Sequence, residues 1–186
     1  MYSLKLDTPI DVPPQPTTRY LASVLARHIN KYALKSIFGP DVVLVPMPSS
    51  SKPLPGGLWV PQRLASAFVD FGLGAHALPI LKRMETIPKS AYSAPGHRSS
   101  AQRHYETLRT SRLLFAQERV VIIDDVITSG ATMVGAASVL AEAYPSTQIM
   151  GFAMIRTISN AAEFVKLIDP CVGTITRRGD STHRDP

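Results

Sequence analysis

Apolar runs and polar breaks divide the chain into pieces of strand and helix length. Val42-Val43-Leu44-Val45 follows Asp41 and stops at Pro46, an unbroken and largely β-branched run that predicts a strand covered on both faces. Val120-Val121-Ile122-Ile123, within Arg119 to Asp124, predicts a second such strand. Met133, Ala137, Leu140 and Tyr144 then recur at helical spacing, so strand, turn and helix follow one another directly. Leu58 to Phe71 carries another helical pattern with Pro61 in its first turn, Ala77 to Leu81 and Gln148 to Ile158 read as strands, and Ala161 to Leu167 as a helix. Near the start, Leu21, Val24, Leu25, Ile29 and Tyr32 make a helical stripe that Thr17 or Thr18 can cap and Gly39-Pro40 can stop; His28 lies on it as a packed histidine.

The segments between are punctuated differently. Met1 to Pro16 includes Pro13-Pro14-Gln15-Pro16 and is expected to be extended and not helical. Arg83 to about Ala101 has few large apolar residues and contains Pro88, Pro95 and Gly96, which predicts a long mobile loop. From Arg177 onward the chain is polar and expected to fray. Alternating strands and helices imply an α/β fold with a mostly parallel central sheet flanked by helices. The expected division is an N-terminal extension and helix over residues 1–40, able to form a small hood, a core over 41–175, and a polar tail over 176–186.

Composition narrows the class. A length of 186 residues with 45% hydrophobic content suits one domain with a substantial core. Neither a bilayer-length apolar run nor a secretion-type start is visible, so the expected location is cytoplasmic, with no membrane partner. Cys171 is the only cysteine, which rules out an intrachain disulfide and a multi-cysteine zinc ribbon; no activating neighbour stands beside it. The net charge of +6 and a pI near 9.7 favour phosphate-bearing partners without choosing between nucleic acid and a small ligand.

The chemistry concentrates in one stretch. Val120 to Met133 reads as a buried strand delivering Asp124 and Asp125 to its carboxyl end, then Thr128-Ser129-Gly130 turning into a helix that begins near Ala131. Ligands of open α/β sheets bind at that edge. Adjacent carboxylates raise each other's protonation unless hydroxyls or a cation offset them, and a ribose diol does so. The first amides of the helix are unpaired donors at the positive end of its dipole, suited to a phosphate, with the hydroxyls of Thr128, Ser129 and Thr132 around them.

This stretch resembles the ribose-phosphate signature of the type I phosphoribosyltransferases along its whole length. The resemblance implies their fold and 5-phosphoribosyl 1-diphosphate as ligand. Asp124 and Asp125 would be the catalytic pair facing the ribose hydroxyls, with Val126, Ile127, Thr128, Ser129, Gly130, Ala131 and Thr132 completing the ribose-phosphate segment. Magnesium would ride on the diphosphate as cofactor. A wider likeness, from Val42 to Ile158, is to the ComF competence family. There Val45-Pro46-Met47-Pro48 looks like the first-strand motif, Leu81-Lys82-Arg83 with Thr86 like the second, and Gln62 like a family glutamine. It implies a diphosphate subsite of Pro46, Met47, Pro48, Ser49, Lys82 and Arg83, and a mobile loop carrying Lys89, Arg98 and Arg103.

The chain departs from those families in three places. It has no four-cysteine zinc ribbon, and Gly56-Gly57-Leu58-Trp59-Val60 replaces the arginine-rich continuation after the first strand. Thr128 stands where 6-oxopurine salvage enzymes carry an aspartate, which disfavours hypoxanthine or guanine as acceptor. Two readings stay open: an enzyme that transfers the phosphoribosyl group to a nitrogenous base, or a non-catalytic ribose-phosphate sensor or DNA-uptake accessory that binds single-stranded DNA. A homodimer is compatible with either. Trp59 is a candidate for stacking on a base and Arg156 for a hood over it.

Overall fold

The computed structural model describes residues 2–10, 13–30, 34–50, 56–87, 99–111, 118–158, 166 and 170–185. In chain order the elements are α1 (Tyr2–Leu6), β1 (Pro9–Ile10), β2 (Gln15–Pro16), α2 (Thr17–His28), a single 3-10 turn (Leu34–Ser36), β3 (Val42–Pro46), α3 (Val60–Asp70), β4 (His76–Ala77), β5 (Leu81–Arg83), α4 (Ala101–Thr107), β6 (Leu108–Thr110), β7 (Arg119–Ile127), α5 (Ala131–Ala143), β8 (Gln148–Arg156), β9 (Thr174–Arg178) and β10 (Ser181–Asp185).

The central sheet has the order β4-β3-β7-β8, and every neighbouring pair is parallel. From β3 the chain crosses through α3 to β4 on one side, and from β7 through α5 to β8 on the other. Strand order therefore reverses between β3 and β7, and the carboxyl ends at such a switch point are where open α/β sheets bind ligands. The period-2 alternation of a strand sends alternate residues to opposite faces. Val42, Leu44, Val121 and Ile123 pack with Leu64 and Phe68 of α3, while Val43, Val45, Val120 and Ile122 pack with Met133, Ala136, Val139 and Leu140 of α5. On the α3 face, Phe38, Phe68 and Phe152 form an edge-to-face triad with centroids 5.0 to 5.6 Å apart.

The N-terminal stretch differs from the extended lead-in that its prolines suggest. Tyr2–Leu6 is a short helix, Pro9 pairs with Pro16 across a small hairpin, and Leu4 lies in the core beside Leu25 and Phe38. Asp7, at φ 48°, accepts from the Thr18 amide at 2.8 Å and meets Arg63 of α3 at 2.8 Å. It caps α2 from a distance, so neither Thr17 nor Thr18 does: both lie inside the helix, which ends at His28, well short of Gly39-Pro40.

Three other expectations change. Ala77 to Leu81 is not one strand, because the chain leaves the parallel sheet around Pro79, which has no amide for the ladder, and Leu81–Arg83 pairs antiparallel with β6. Ser100 accepts from the Arg103 amide and starts α4, so the expected loop gives way to helix at Ala101; residues 88–98 lie outside the described residues. The expected fraying from Arg177 is replaced by a β9–β10 hairpin with five paired positions. The helix expected over Ala161 to Leu167 falls almost wholly outside the described residues. Among the described residues, no helix is long and apolar enough to cross a membrane.

Candidate functional site

The acid pair stands where β7 outruns its neighbour. β3 pairs with β7 only as far as Pro46 opposite Ile123, whereas β8 follows β7 to Ile127. Beyond Ile123 the β3 side of the strand is open. The Met47 amide still donates to Ile123 O at 2.8 Å, and the next rung of a parallel ladder would run from the Asp125 amide to Met47 O. Instead Met47 O accepts from the Trp59 indole at 2.8 Å, and the Asp125 amide donates to Asp124 Oδ1 at 2.8 Å. Trp59 thus peels the loop after β3 away from the acid pair. Asp125 Oδ1 in turn accepts from the Val126 amide at 3.0 Å.

Burial, and then the charge of Asp125, push the Asp124 carboxyl well above its ordinary pKa. The second oxygen of Asp125 lies 3.3 Å from Lys5 Nζ, which reaches over from α1 and offsets part of the paired negative charge. Ribose hydroxyls donating to these oxygens would relieve the same repulsion.

The turn after the pair is shaped by glycine. Gly130 sits at φ 84°, a left-handed conformation, immediately before α5, and the helix start has neither a side-chain cap nor an acidic residue in its first turn. Its leading amides are therefore available to an anion. Thr128 and Ser129 are half-buried beside them. Thr132 Oγ1 lies 3.2 Å from His104 Nε2 of α4. Gly135 allows that approach: a Cβ there would lie 2.5 Å from His104 Cβ and 2.8 Å from Ala101 O.

The expected diphosphate residues line the adjoining loop. Pro46, Met47 and Pro48 are buried and Ser49 is exposed. Lys82 is exposed on β5, but Arg83 is only 6% exposed and points inward. Its guanidinium donates to Ser49 O at 3.2 Å and to Thr107 Oγ1 at 2.9 Å, and burial pushes its pKa down to about 10. Arg83 thereby struts the loop from beneath. Its Nη2 and the Nδ1 of His104 are both buried without a hydrogen-bond partner. Burial, followed by the nearby Arg83 charge, pushes the His104 pKa down to about 4, so the ring is neutral. Lys89 and Arg98 lie outside the described residues. Arg103 belongs to α4, not to a loop, and pairs with Glu85 at 2.8 Å and Glu106 at 3.8 Å.

Several residues at the site escape the sequence patterns. Lys5, His104, Thr157, Ile175, Thr182 and Arg184 reach it from distant parts of the chain. Arg184 donates to Thr128 O at 3.0 Å, Thr182 to Ser129 O at 2.9 Å, and Ile175 packs where a Gly130 Cβ would stand. Two local signals were present: Ser100 as a helix cap, and Gly179-Asp180 between alternating Thr-rich runs as a hairpin turn. Arg156 ends β8 opposite Ile127, Trp59 is held by its bond to Met47 O, and Cys171 is exposed and free.

A family model described as phosphoribosyl transferase domain matches residues 21–163. Xanthine phosphoribosyltransferase of Brevibacillus brevis is 32% identical over 62 residues, 33% of this chain and 32% of that protein, so the match spans about a third of that relative's length. A solved hypoxanthine phosphoribosyltransferase from Staphylococcus aureus aligns with a TM-score of 0.39 and 10% identity, over 76% of this chain and 75% of that one. The corresponding figures for a hypoxanthine phosphoribosyl transferase of Trypanosoma cruzi are 0.37 and 18%, over 77% and 75%.

Proposed function

The chain belongs to the phosphoribosyl transferase domain family, and from that premise we propose that it binds 5-phosphoribosyl 1-diphosphate at the end of β7 and transfers the phosphoribosyl group to a nitrogenous base. One observation carries this reading. A buried parallel strand presents Asp124 and Asp125 beyond the reach of β3, and Gly130 then turns the chain so that the open start of α5 follows at once. Diol and phosphate, the two ends of a ribose 5-phosphate, find complementary groups in consecutive residues.

In the reaction the C1–O bond to diphosphate breaks, with its electron pair leaving on the diphosphate. A base nitrogen supplies the pair for the new C1–N bond and then sheds its proton. Positive charge grows at the sugar ring between these events. Asp124 and Asp125 hold the ring hydroxyls and place negative charge below it, while the turn from Thr128 to Thr132 fixes the phosphate end so that C1 stays in line. Pro46 to Ser49, with Lys82 above the loop and Arg83 below it, would bound the departing diphosphate.

Magnesium fits this reading as a group carried by the ligand. The donors at hand are two adjacent carboxylates, one of them with a raised pKa that a cation would relieve. Among the described residues, no cluster of three or more His, Cys, Asp or Glu could hold a metal. When bound, magnesium would neutralise charge on the leaving diphosphate.

Calorimetry with magnesium and 5-phosphoribosyl 1-diphosphate tests the reading, with Asp124→Asn and Asp125→Asn alongside. Wild-type binding that both variants lose is the expected result, and no heat from the wild type would end the proposal. Diphosphate release with a panel of bases then separates turnover from sensing, because a sensor binds without releasing product.

A further inference from the structure

The C-terminal hairpin meets the turn through backbone carbonyls and through the Ile175 side chain. Arg184 Nη1 donates to Thr128 O at 3.0 Å and to Ile127 O at 3.5 Å, and its Nη2 donates to Thr157 O at 2.6 Å. Thr182 Oγ1 donates to Ser129 O at 2.9 Å. Ile175 packs against Gly130 so closely that a Cβ there would lie 2.8 Å from it. Two successive carbonyls, of Thr128 and Ser129, are thus drawn toward β9 and β10, while Ile127 O is held mainly by the Thr157 amide of the β8 side at 2.9 Å.

A trans peptide is planar, with its C=O and the next N–H pointing in opposite directions. Carbonyls 128 and 129 facing the hairpin therefore require the amides of Ser129 and Gly130 to face away from it. Two successive amides presented to one side form an anion-binding concavity, and it adjoins the open start of α5. Because Arg184 also grips Thr157, just past the end of β8, the turn is tied to the sheet as well as to the hairpin.

We infer that the β9–β10 hairpin is a brace that orients the Ser129 and Gly130 amides into a phosphate nest, with Arg184 as its positioning residue. The brace rests on the functional reading above for the identity of its ligand, the 5-phosphate of a phosphoribosyl group. Arg184 itself need not touch that phosphate. It satisfies carbonyls that would otherwise compete to rotate these peptides, and places a fixed positive charge behind them. Lysine lacks the planar fork that spans both strand ends and would restore only part of this.

The test uses the full chain and two probes. Inorganic phosphate, followed through the amide chemical shifts of Ser129 and Gly130, reports the nest alone; 5-phosphoribosyl 1-diphosphate with magnesium, followed by calorimetry, reports the whole site. Arg184→Ala is expected to weaken inorganic phosphate at least tenfold, Arg184→Lys to recover part of that loss, and Thr182→Val to cost a few-fold. Arg178→Ala, an exposed change on the same hairpin, should bind as the wild type does. Thermal melting of each variant separates a loosened fold from a lost nest: binding should fall in Arg184→Lys and Thr182→Val while melting stays near the wild type.

Phosphate affinity in Arg184→Ala within twofold of wild type would overturn the brace. So would a wild type in which phosphate leaves the two amide shifts unmoved. A wild type that takes phosphate at these amides and loses it in Arg184→Ala, yet ignores 5-phosphoribosyl 1-diphosphate, supports the brace and overturns the functional reading alone.

Discussion

The turn from Asp124 to Thr132 and the loop from Pro46 to Ser50 follow the carboxyl ends of neighbouring strands and are held in opposite ways. The turn is one continuous segment between a strand and a helix, braced from outside by Arg184, which is half-buried and bound to three carbonyls. The loop owes its path to residues far apart in the chain: Trp59 holds Met47 O, Arg83 holds Ser49 O, and the Ile87 amide holds Ser50 O. Arg83 does this from inside the protein, where its charge is desolvated and depresses the pKa of His104. A contiguous site is specified locally and needs only a brace; an assembled one depends on a buried polar cluster whose members tune one another.

The contrast breaks first, and with the largest effect, at Asp124. Burial and the Asp125 charge raise its pKa, so ionising this carboxyl costs the fold stability at neutral pH. Asp124→Asn should weaken 5-phosphoribosyl 1-diphosphate by about a hundredfold or more, roughly 3 kcal/mol, while raising the denaturation midpoint. The wild type should recover that stability as pH falls through the raised pKa. Calorimetry and urea denaturation read the two quantities, and a variant that binds normally would show that the turn does not use its acid pair.

The assembled side responds to pH in the other direction. His104 is neutral in the fold, with a pKa of about 4 against 6.5 for the free side chain. Below 6.5 the unfolded chain takes up a proton that the buried ring refuses, so stability declines until the folded ring is also protonated near 4. The full loss is roughly 3 kcal/mol, and His104→Gln should flatten this limb of the urea-denaturation profile. Arg83→Met removes the second cause of the shift, so the His104 titration followed by NMR should move upward. If it stays put, the two groups are not coupled.

A smaller effect probes the brace. Gly130→Ala places a Cβ at φ 84° against Ile175 and should cost about 1–2 kcal/mol by denaturation. Pairing it with Ile175→Ala should return the steric part and leave the backbone part. Arg103→Ala marks the lower end of the scale: its partners Glu85 and Glu106 are exposed, and the stability change should stay within about 0.5 kcal/mol.

Residues that answer to local rules were legible in the chain. β3 and β7 follow from uninterrupted β-branched runs, α3 from a helical pattern with proline in its first turn, and the acid pair, hydroxyls and glycine of the turn from their consecutive order. Composition misled where a remote partner decided the outcome. The proline-rich start contains a helix because Leu4 finds the core, and Asp7 finds Thr18 and Arg63. The polar tail pairs into a hairpin because its hydroxyls and Arg184 meet carbonyls of the turn. Arg83 reads as a surface cation at the edge of a loop, and only the packing of β5 against α4 turns it inward.

The sequence by itself therefore determined an α/β chain of the phosphoribosyl transferase domain family, together with the order of groups from Asp124 to Thr132, because strand period, turn chemistry and helix start act over a few residues. Tertiary structure decided which carbonyls of that turn are held, which way its amides face, and where the charges of Lys5, Arg83 and His104 come to rest. Those outcomes depend on contacts between segments up to 57 positions apart on the hairpin side of the turn. Burial and hydrogen bonding across such separations leave no period or spacing in the chain to read.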